Sequence, residues 1–322
     1  MSKPLIFVAR QIPDVGLELL HEHTQVRLHT GPLPPTREEL VSGVQGCAGI
    51  LALLSDRIDA EIFQAAGEQL KVVSNFAVGF NNISVDEATR RGIAVGNTPD
   101  VLTDATADIA VGLLLSVARH MPVAAEAART GGWKTWEPRG WIGLDLVDKT
   151  VGIVGLGRIG EAVARRLHGG WRMQVLYTAR TPKPGMDREL GARHVTLDEL
   201  LRASDFVSLH VPLNENTKHL IDAAALGQMK PQAILINTAR GEVVDQAALA
   251  QALRERTIFG AGLDVCTPEP LPLDDPLQAL ENCLILPHIG SATIQARNAM
   301  AERAAQNIIA GVQGKALPYA VS

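Results

Sequence analysis

The segment Thr150-Val-Gly-Ile-Val-Gly-Leu-Gly-Arg-Ile-Gly160 constrains this chain most, because an apolar run passes into a glycine-rich turn and then a helical pattern. Val151, Ile153 and Val154 read as a buried strand. Gly155, Gly157 and Gly160 form G-x-G-x-x-G around Arg158 and Ile159, and Ala162, Val163, Arg166 and Leu167 follow at helical spacing. Gly155 permits a tight turn, Gly157 lets the backbone approach a pyrophosphate, and Gly160 lets helix and strand pack closely. The helix start then offers unpaired N–H groups and a partial positive charge to phosphates. A bare glycine pattern is often only a turn. Here the strand before and the helix after make it a dinucleotide site.

The next strand, Gln174-Val-Leu-Tyr-Thr178, leads to the position where an NAD site carries Asp or Glu for the ribose 2′-hydroxyl. This chain has Ala179, Arg180 and Thr181 there. No carboxylate stands ready to repel a 2′-phosphate, and Arg180 can pair with one, a contact of roughly 1.5–3 kcal/mol. The bland alternative is a solvated loop arginine. The expected cofactor is NADP(H), with NAD(H) as the alternative.

At 322 residues the chain is long enough for two cores. A net charge of −5 gives no electrostatic footprint for nucleic acid. Cys47, Cys266 and Cys283 are an odd set without C-x-x-C, read as buried thiols in a reducing compartment. The apolar run within Met1–Arg10 is too short for a signal peptide and reads as a strand. The longest apolar stretch, Ile109–Ala118, falls short of the ~20 residues that span a bilayer. The expectation is a soluble cytoplasmic protein without membrane or nucleic-acid partners.

Short apolar runs alternate with helical patterns along the chain, which argues α/β architecture with parallel sheets. Strands are expected at 5–9, 49–53, 70–74 and 93–95, with helices starting near Pro13, Thr36, Asp59 and Val85; Thr36 and Glu39 have capping-box spacing. One long apolar helix is expected over 100–120, ending before Pro122. A 28-residue connection then follows, holding Trp133, Trp136 and Trp141. Connections of that length are usually functional or interfacial, and it reads as the arm of a homodimer. Further strands are expected near 151–154, 174–178, 206–210, 233–237, 259–264 and 283–286, with helix starts at Thr196 and Asp245. A last helix near 292–311 is too isolated to form a domain and is expected to pack on the first. The expected domains are 1–98 with 289–322, and 99–288, with a dimerisation helix and arm at about 100–148.

Three polar residues follow strands of the second domain: Arg240, Glu269 and His288. Ligands of doubly wound sheets bind beyond the carboxyl ends of strands, so all three belong on the cofactor side. Singly, each is an ordinary surface or turn residue. Together, beside a nicotinamide site, they supply what carbonyl reduction needs. Arg240 can hold a carboxylate bidentately, His288 can donate a proton, and Glu269 can orient the imidazole. A metal route lacks support, since His21-Glu-His23 has the wrong spacing and no H-E-x-x-H occurs.

Over nearly its whole length the chain resembles the D-isomer-specific 2-hydroxyacid dehydrogenases, most closely their glyoxylate/hydroxypyruvate reductase branch. Thr98-Pro-Asp-Val-Leu-Thr-Asp104, Gly131-Gly-Trp-Lys-Thr-Trp136, Tyr177-Thr-Ala-Arg180 and Pro287-His-Ile-Gly-Ser-Ala-Thr293 carry the likeness. The resemblance implies a doubly wound parallel-sheet (Rossmann) NADP domain and a smaller flavodoxin-like substrate domain, with a small 2-keto acid bound between them. It implies Arg240 as substrate-binding, Glu269 as the histidine's partner and His288 as the acid–base, with the backbone at Val78 and Gly79 cradling the substrate carboxylate. It places Arg158 and Ile159 at the pyrophosphate, Pro212 and Thr217 beside the adenosine, and Thr238 and Asp264 near the nicotinamide, with Ala239, Arg240, His288 and Gly290 also binding the cofactor. Trp136 would reach into the partner subunit's site and narrow it, or act only as an interface plug. The missing acid at Ala179 departs from NAD-using members. The 2-ketogluconate reductases are similar too. Transcriptional corepressors share the fold and its catalytic residues, which leaves a dinucleotide-sensing interaction protein as the alternative of another class; without evident tails or basic patches, the expectation is an enzyme.

Overall fold

The computed structural model describes residues 3–321. They divide into two compact units, one running to Leu102 and resuming at Ala292, the other Thr103–Ser291. These divisions fall a few residues beyond the expected ones at 98/99 and 288/289.

The first unit holds a five-stranded parallel sheet of β1 (Leu5–Val8), β2 (Gln25–Leu28), β3 (Gly49–Ala52), β4 (Val72–Asn75) and β5 (Ala94–Gly96), in the order β2-β1-β3-β4-β5. That order is flavodoxin-like. Side chains alternate across the sheet: Ile6 and Val8 enter one core, Phe7 and Ala9 the other. Burial on both faces is why β1 and β3 read as unbroken apolar runs. The sequence reading omitted β2, an edge strand in which Gln25 and Arg27 are exposed and only Val26 and Leu28 are apolar. Helix Ile294–Val312 packs on helix Asp14–His23 and on β3 and β4 of this unit. Glycine permits that approach, since a Cβ at Gly311 would lie 2.4 Å from Val72 Cβ.

The second unit holds seven parallel strands: β6 (Thr150–Val154), β7 (Gln174–Thr178), β8 (Arg193–His194), β9 (Phe206–Leu209), β10 (Ile234–Asn237), β11 (Gly260–Leu263) and β12 (Cys283–Ile285). Their order is β12-β11-β10-β9-β6-β7-β8, a doubly wound sheet with its order reversing between β6 and β9. Ile234 and Ile236 enter one core and Leu235 the other. β8, too short and polar for a periodic signal, also went unread.

The long helix expected over 100–120 is Thr103–Ala118, and a second helix, Met121–Arg129, follows it at a bend of 66°. Asp100 and His120 have left-handed backbones, φ +68° and +51°, which delay the first helix and break the second from it. Pro122 lies beyond the end of the first helix, in the first turn of the next one, where its missing N–H has no intrahelical acceptor to lose. The expected 28-residue connection is thus partly helical. No single helix among the described residues is long and apolar enough to cross a membrane.

Candidate active site

The glycine turn has the geometry its sequence demanded. Gly155 follows β6 with φ +95°, and a Cβ on Gly160 would lie 2.4 Å from the Gly155 carbonyl oxygen. Gly157 faces open space and caps helix Arg158–Trp171 without a side-chain bond, leaving the first-turn amides available to an anion. Next to this turn, Ala179, Arg180 and Thr181 follow β7. Arg180 is exposed and forms no ion pair among the described residues. The Ala179 carbonyl accepts from His194 Nε2 at 3.0 Å, and the Lys183 amide donates to Tyr177 Oη at 2.7 Å, so the loop is held at both ends. After β9, Thr217 Oγ1 donates to the Pro212 carbonyl at 2.6 Å and accepts from the Asn214 amide at 2.8 Å, which draws Pro212 and Thr217 together. These residues span neighbouring strand ends on the carboxyl side of one sheet. They fit a dinucleotide laid across the reversal point.

Thr238, Ala239 and Arg240 follow β10, Asp264 and Glu269 follow β11, and His288 and Gly290 follow β12. His288 Nδ1 lies 2.8 Å from Glu269 Oε2, while Glu269 Oε1 accepts the Cys266 amide at 3.1 Å. Burial pushes the Glu269 carboxyl up, but His288, the Cys266 amide and the charge of Arg240 outweigh it and hold it below its ordinary value. It is therefore a carboxylate at neutral pH, and the His288 nitrogen facing it is the one bearing hydrogen. Nε2 is left for other chemistry. The left-handed His288 backbone, φ +53°, is fixed from behind. Asp264 Oδ1 and Oδ2 accept the Ile289 and Gly290 amides, each at 2.7 Å, and Thr106 Oγ1 donates to the Gly290 carbonyl at 3.1 Å.

Arg240 is largely enclosed, and burial lowers its pKa against the opposing pull of Glu269 and Glu242. Its Nη1 donates to the Ala239 carbonyl at 2.7 Å. Gly241 brings this loop against the Glu269 loop, for a Cβ there would lie 2.2 Å from the Cys266 carbonyl.

In the first unit, Val78 and Gly79 lie just past β4, both partly exposed. Trp136 is 79% exposed.

The family model for the D-isomer specific 2-hydroxyacid dehydrogenase NAD binding domain matches residues 111–290. A glyoxylate reductase of Korarchaeum cryptofilum is 48% identical over 99% of this chain and 96% of its own. The human glyoxylate reductase/hydroxypyruvate reductase is 46% identical over 97% of this chain and 96% of its own. The crystal structure of an NADPH-dependent glyoxylate/hydroxypyruvate reductase from Sinorhizobium meliloti, in complex with NADP and malonate, superposes with a TM-score of 0.85. It is 34% identical and covers 100% of this chain and 97% of that one. The chain belongs to the D-isomer-specific 2-hydroxyacid dehydrogenases, in their glyoxylate reductase branch. As such it is an NAD(P)-dependent enzyme that reduces a 2-keto acid.

Several side chains that shape this dehydrogenase's site escaped the sequence reading. Asn237, 1% exposed, clamps the turn before Arg240: its Nδ2 donates to the Arg240 carbonyl at 2.8 Å and its Oδ1 accepts the Ala239 amide at 3.0 Å. His210 bridges β9 and β10, with Nε2 2.8 Å from Ser208 Oγ and Nδ1 3.5 Å from Thr238 Oγ1. Asn237 ends an apolar strand and His210 directly follows one, and a polar residue just there was the available signal.

Proposed function

We propose that this dehydrogenase uses NADPH to reduce glyoxylate and hydroxypyruvate to glycolate and D-glycerate, as a cytoplasmic homodimer. The observation that carries the reading is the His288–Glu269 pair set beside Arg240, at the ends of the adjacent strands β10, β11 and β12. The bound nicotinamide supplies hydride to the carbonyl carbon. The chain's own residues supply the rest. Arg240 holds the carboxylate and polarises the neighbouring carbonyl. His288 donates a proton from Nε2 to the oxygen as negative charge develops there, and Glu269 at Nδ1 keeps the imidazole oriented. Thr238 and Asp264 would hold the nicotinamide end, with Ala239 and Gly290 also on the cofactor side.

NADPH preference is supported by Ala179 and the exposed Arg180 at the ribose position, and by the S. meliloti relative's name. The test is steady-state oxidation of NADPH and NADH with glyoxylate, hydroxypyruvate and 2-ketogluconate. The expected outcome is the highest kcat/KM for a small 2-keto acid with NADPH. A clear preference for 2-ketogluconate would move the enzyme to the aldonate reductases. The double substitution A179D/R180A should turn preference toward NADH; an unchanged ratio of the two cofactor KM values would refute the role given to this loop.

A further inference from the structure

We infer that Asn75 and Asn97 are positioning residues that turn three consecutive backbone amides, those of Val78, Gly79 and Phe80, into the seat for the substrate carboxylate. The inference rests on the 2-keto acid reductase reading and adds the side chains that build the seat.

Three successive carbonyls in this stretch are held by the protein. The Ala77 carbonyl accepts the Thr98 amide at 2.9 Å, the Val78 carbonyl accepts Asn97 Nδ2 at 2.8 Å, and the Gly79 carbonyl accepts Asn75 Nδ2 at 2.7 Å. In a planar trans peptide the C=O and the following N–H point in opposite directions. Each carbonyl held by the protein therefore turns the next amide, of Val78, Gly79 and Phe80 in turn, away from its carbonyl's partner. None of these three amides has an acceptor among the described residues. Successive backbone N–H groups of this kind make an anion-binding concavity. It lies past the carboxyl end of β4, where ligands of parallel sheets bind.

The two asparagines are themselves fixed. Asn75, fully buried in β4, gives its amide group also to Asn82 Oδ1 at 3.0 Å, and Asn82 Nδ2 reaches the Leu53 and Asp56 carbonyls at 2.9 and 3.0 Å. The Asn97 amide donates to the Tyr319 carbonyl at 3.1 Å, and its carbonyl accepts from buried Asn307 at 3.0 Å. The seat is thus preorganised by buried polar groups, with no charged side chain of its own.

The decisive variant is N97D, which keeps the shape but sets a second acceptor against the Val78 carbonyl. Oxamate, an unreactive stand-in for glyoxylate, is titrated into the full-length enzyme with NADPH at pH 5 to 8, beside wild type. NADPH affinity is measured separately. At pH 8, N97D should weaken oxamate about tenfold and raise the KM for glyoxylate similarly, with the loss falling mainly on KM rather than kcat. NADPH affinity should stay at the wild-type value. An oxamate affinity within twofold of wild type at every pH, or a loss that falls on kcat with KM unchanged, overturns the inference. If N97D does not fold, N97S is titrated in the same way, and wild-type oxamate affinity in that variant overturns it too. Wild type failing to turn over any 2-keto acid would defeat the reductase reading instead, which is a separate result.

Discussion

His288 acts only because its neighbours decide which nitrogen is exposed and where the ring points. Glu269 occupies Nδ1, and the two oxygens of Asp264 pin the two amides that follow the histidine. Replacing His288 by Ala removes the proposed proton donor and leaves Arg240 in place, so kcat should fall by about 10²–10⁴ with glyoxylate while NADPH still binds. Turnover near the wild-type rate would refute the assignment. His210 makes the opposite use of burial. Enclosure lowers its pKa from 6.5 to about 3, so the folded protein keeps it neutral while the unfolded chain protonates it near its ordinary value. Its contribution to stability is full above about pH 6.5 and is lost as pH falls from there toward about 3. His210→Asn should therefore flatten the acid side of the stability curve, measured by urea unfolding at stepped pH. Parallel curves for the two proteins would show that His210 does not govern that limb.

At the level of elements, glycine decides how near they come. Gly311 lies in helix Ile294–Val312, where alanine would ordinarily be favoured by about 1 kcal/mol. Its added Cβ would meet Val72 Cβ at 2.4 Å, too close to the backbone of β4 to swing away. Overpacking of roughly 1–3 kcal/mol outweighs the propensity gain, so G311A should lower Tm. Gly169, in helix Arg158–Trp171 with open space around it, should show the reverse. G169A should raise stability by up to about 1 kcal/mol, and the same sign for both would defeat the packing argument. Elements with both faces buried, such as β1 and β10, were legible as apolar runs. The polar edge strands β2 and β8 were not, because β2 offers only Val26 and Leu28 in alternation and both residues of β8 are exposed. Pro122 marked the end of the first helix but hid the start of the second: proline is equally at home in a helix's first turn and after its end, and the left-handed His120 lets both hold here. At the site, Arg240, Glu269 and His288 stood out as polar residues after strands. Asn75, Asn97 and Asn237 did not, because their work is to hold backbone carbonyls and amides, which imposes no sequence spacing.

The whole molecule carries an apolar surface that a solitary chain has little use for. Helix Met121–Arg129 has no buried residue, and Met121, Trp133, Trp136, Trp141, Ile142 and Val147 are exposed in and after it. Trp133 and Trp136 are 61% and 79% exposed, an unusual state for the largest apolar side chain. Exposed apolar side chains gathered in one stretch of chain are what the proposed homodimer would cover, and a modest net charge of −5 does little to keep two copies apart. Light scattering should give about twice the 34.4 kDa chain mass. Trp133→Glu, which would bury a charge in such an interface, should shift the mass toward one chain. Trp136→Ala tests whether that residue also shapes the site. If it narrows the partner's pocket, the variant should stay dimeric while kcat/KM rises for 2-ketogluconate relative to glyoxylate. If it is only a plug, the dimer should weaken and the substrate ratio should hold. A wild-type mass of one chain would remove the interface and leave those tryptophans without a role.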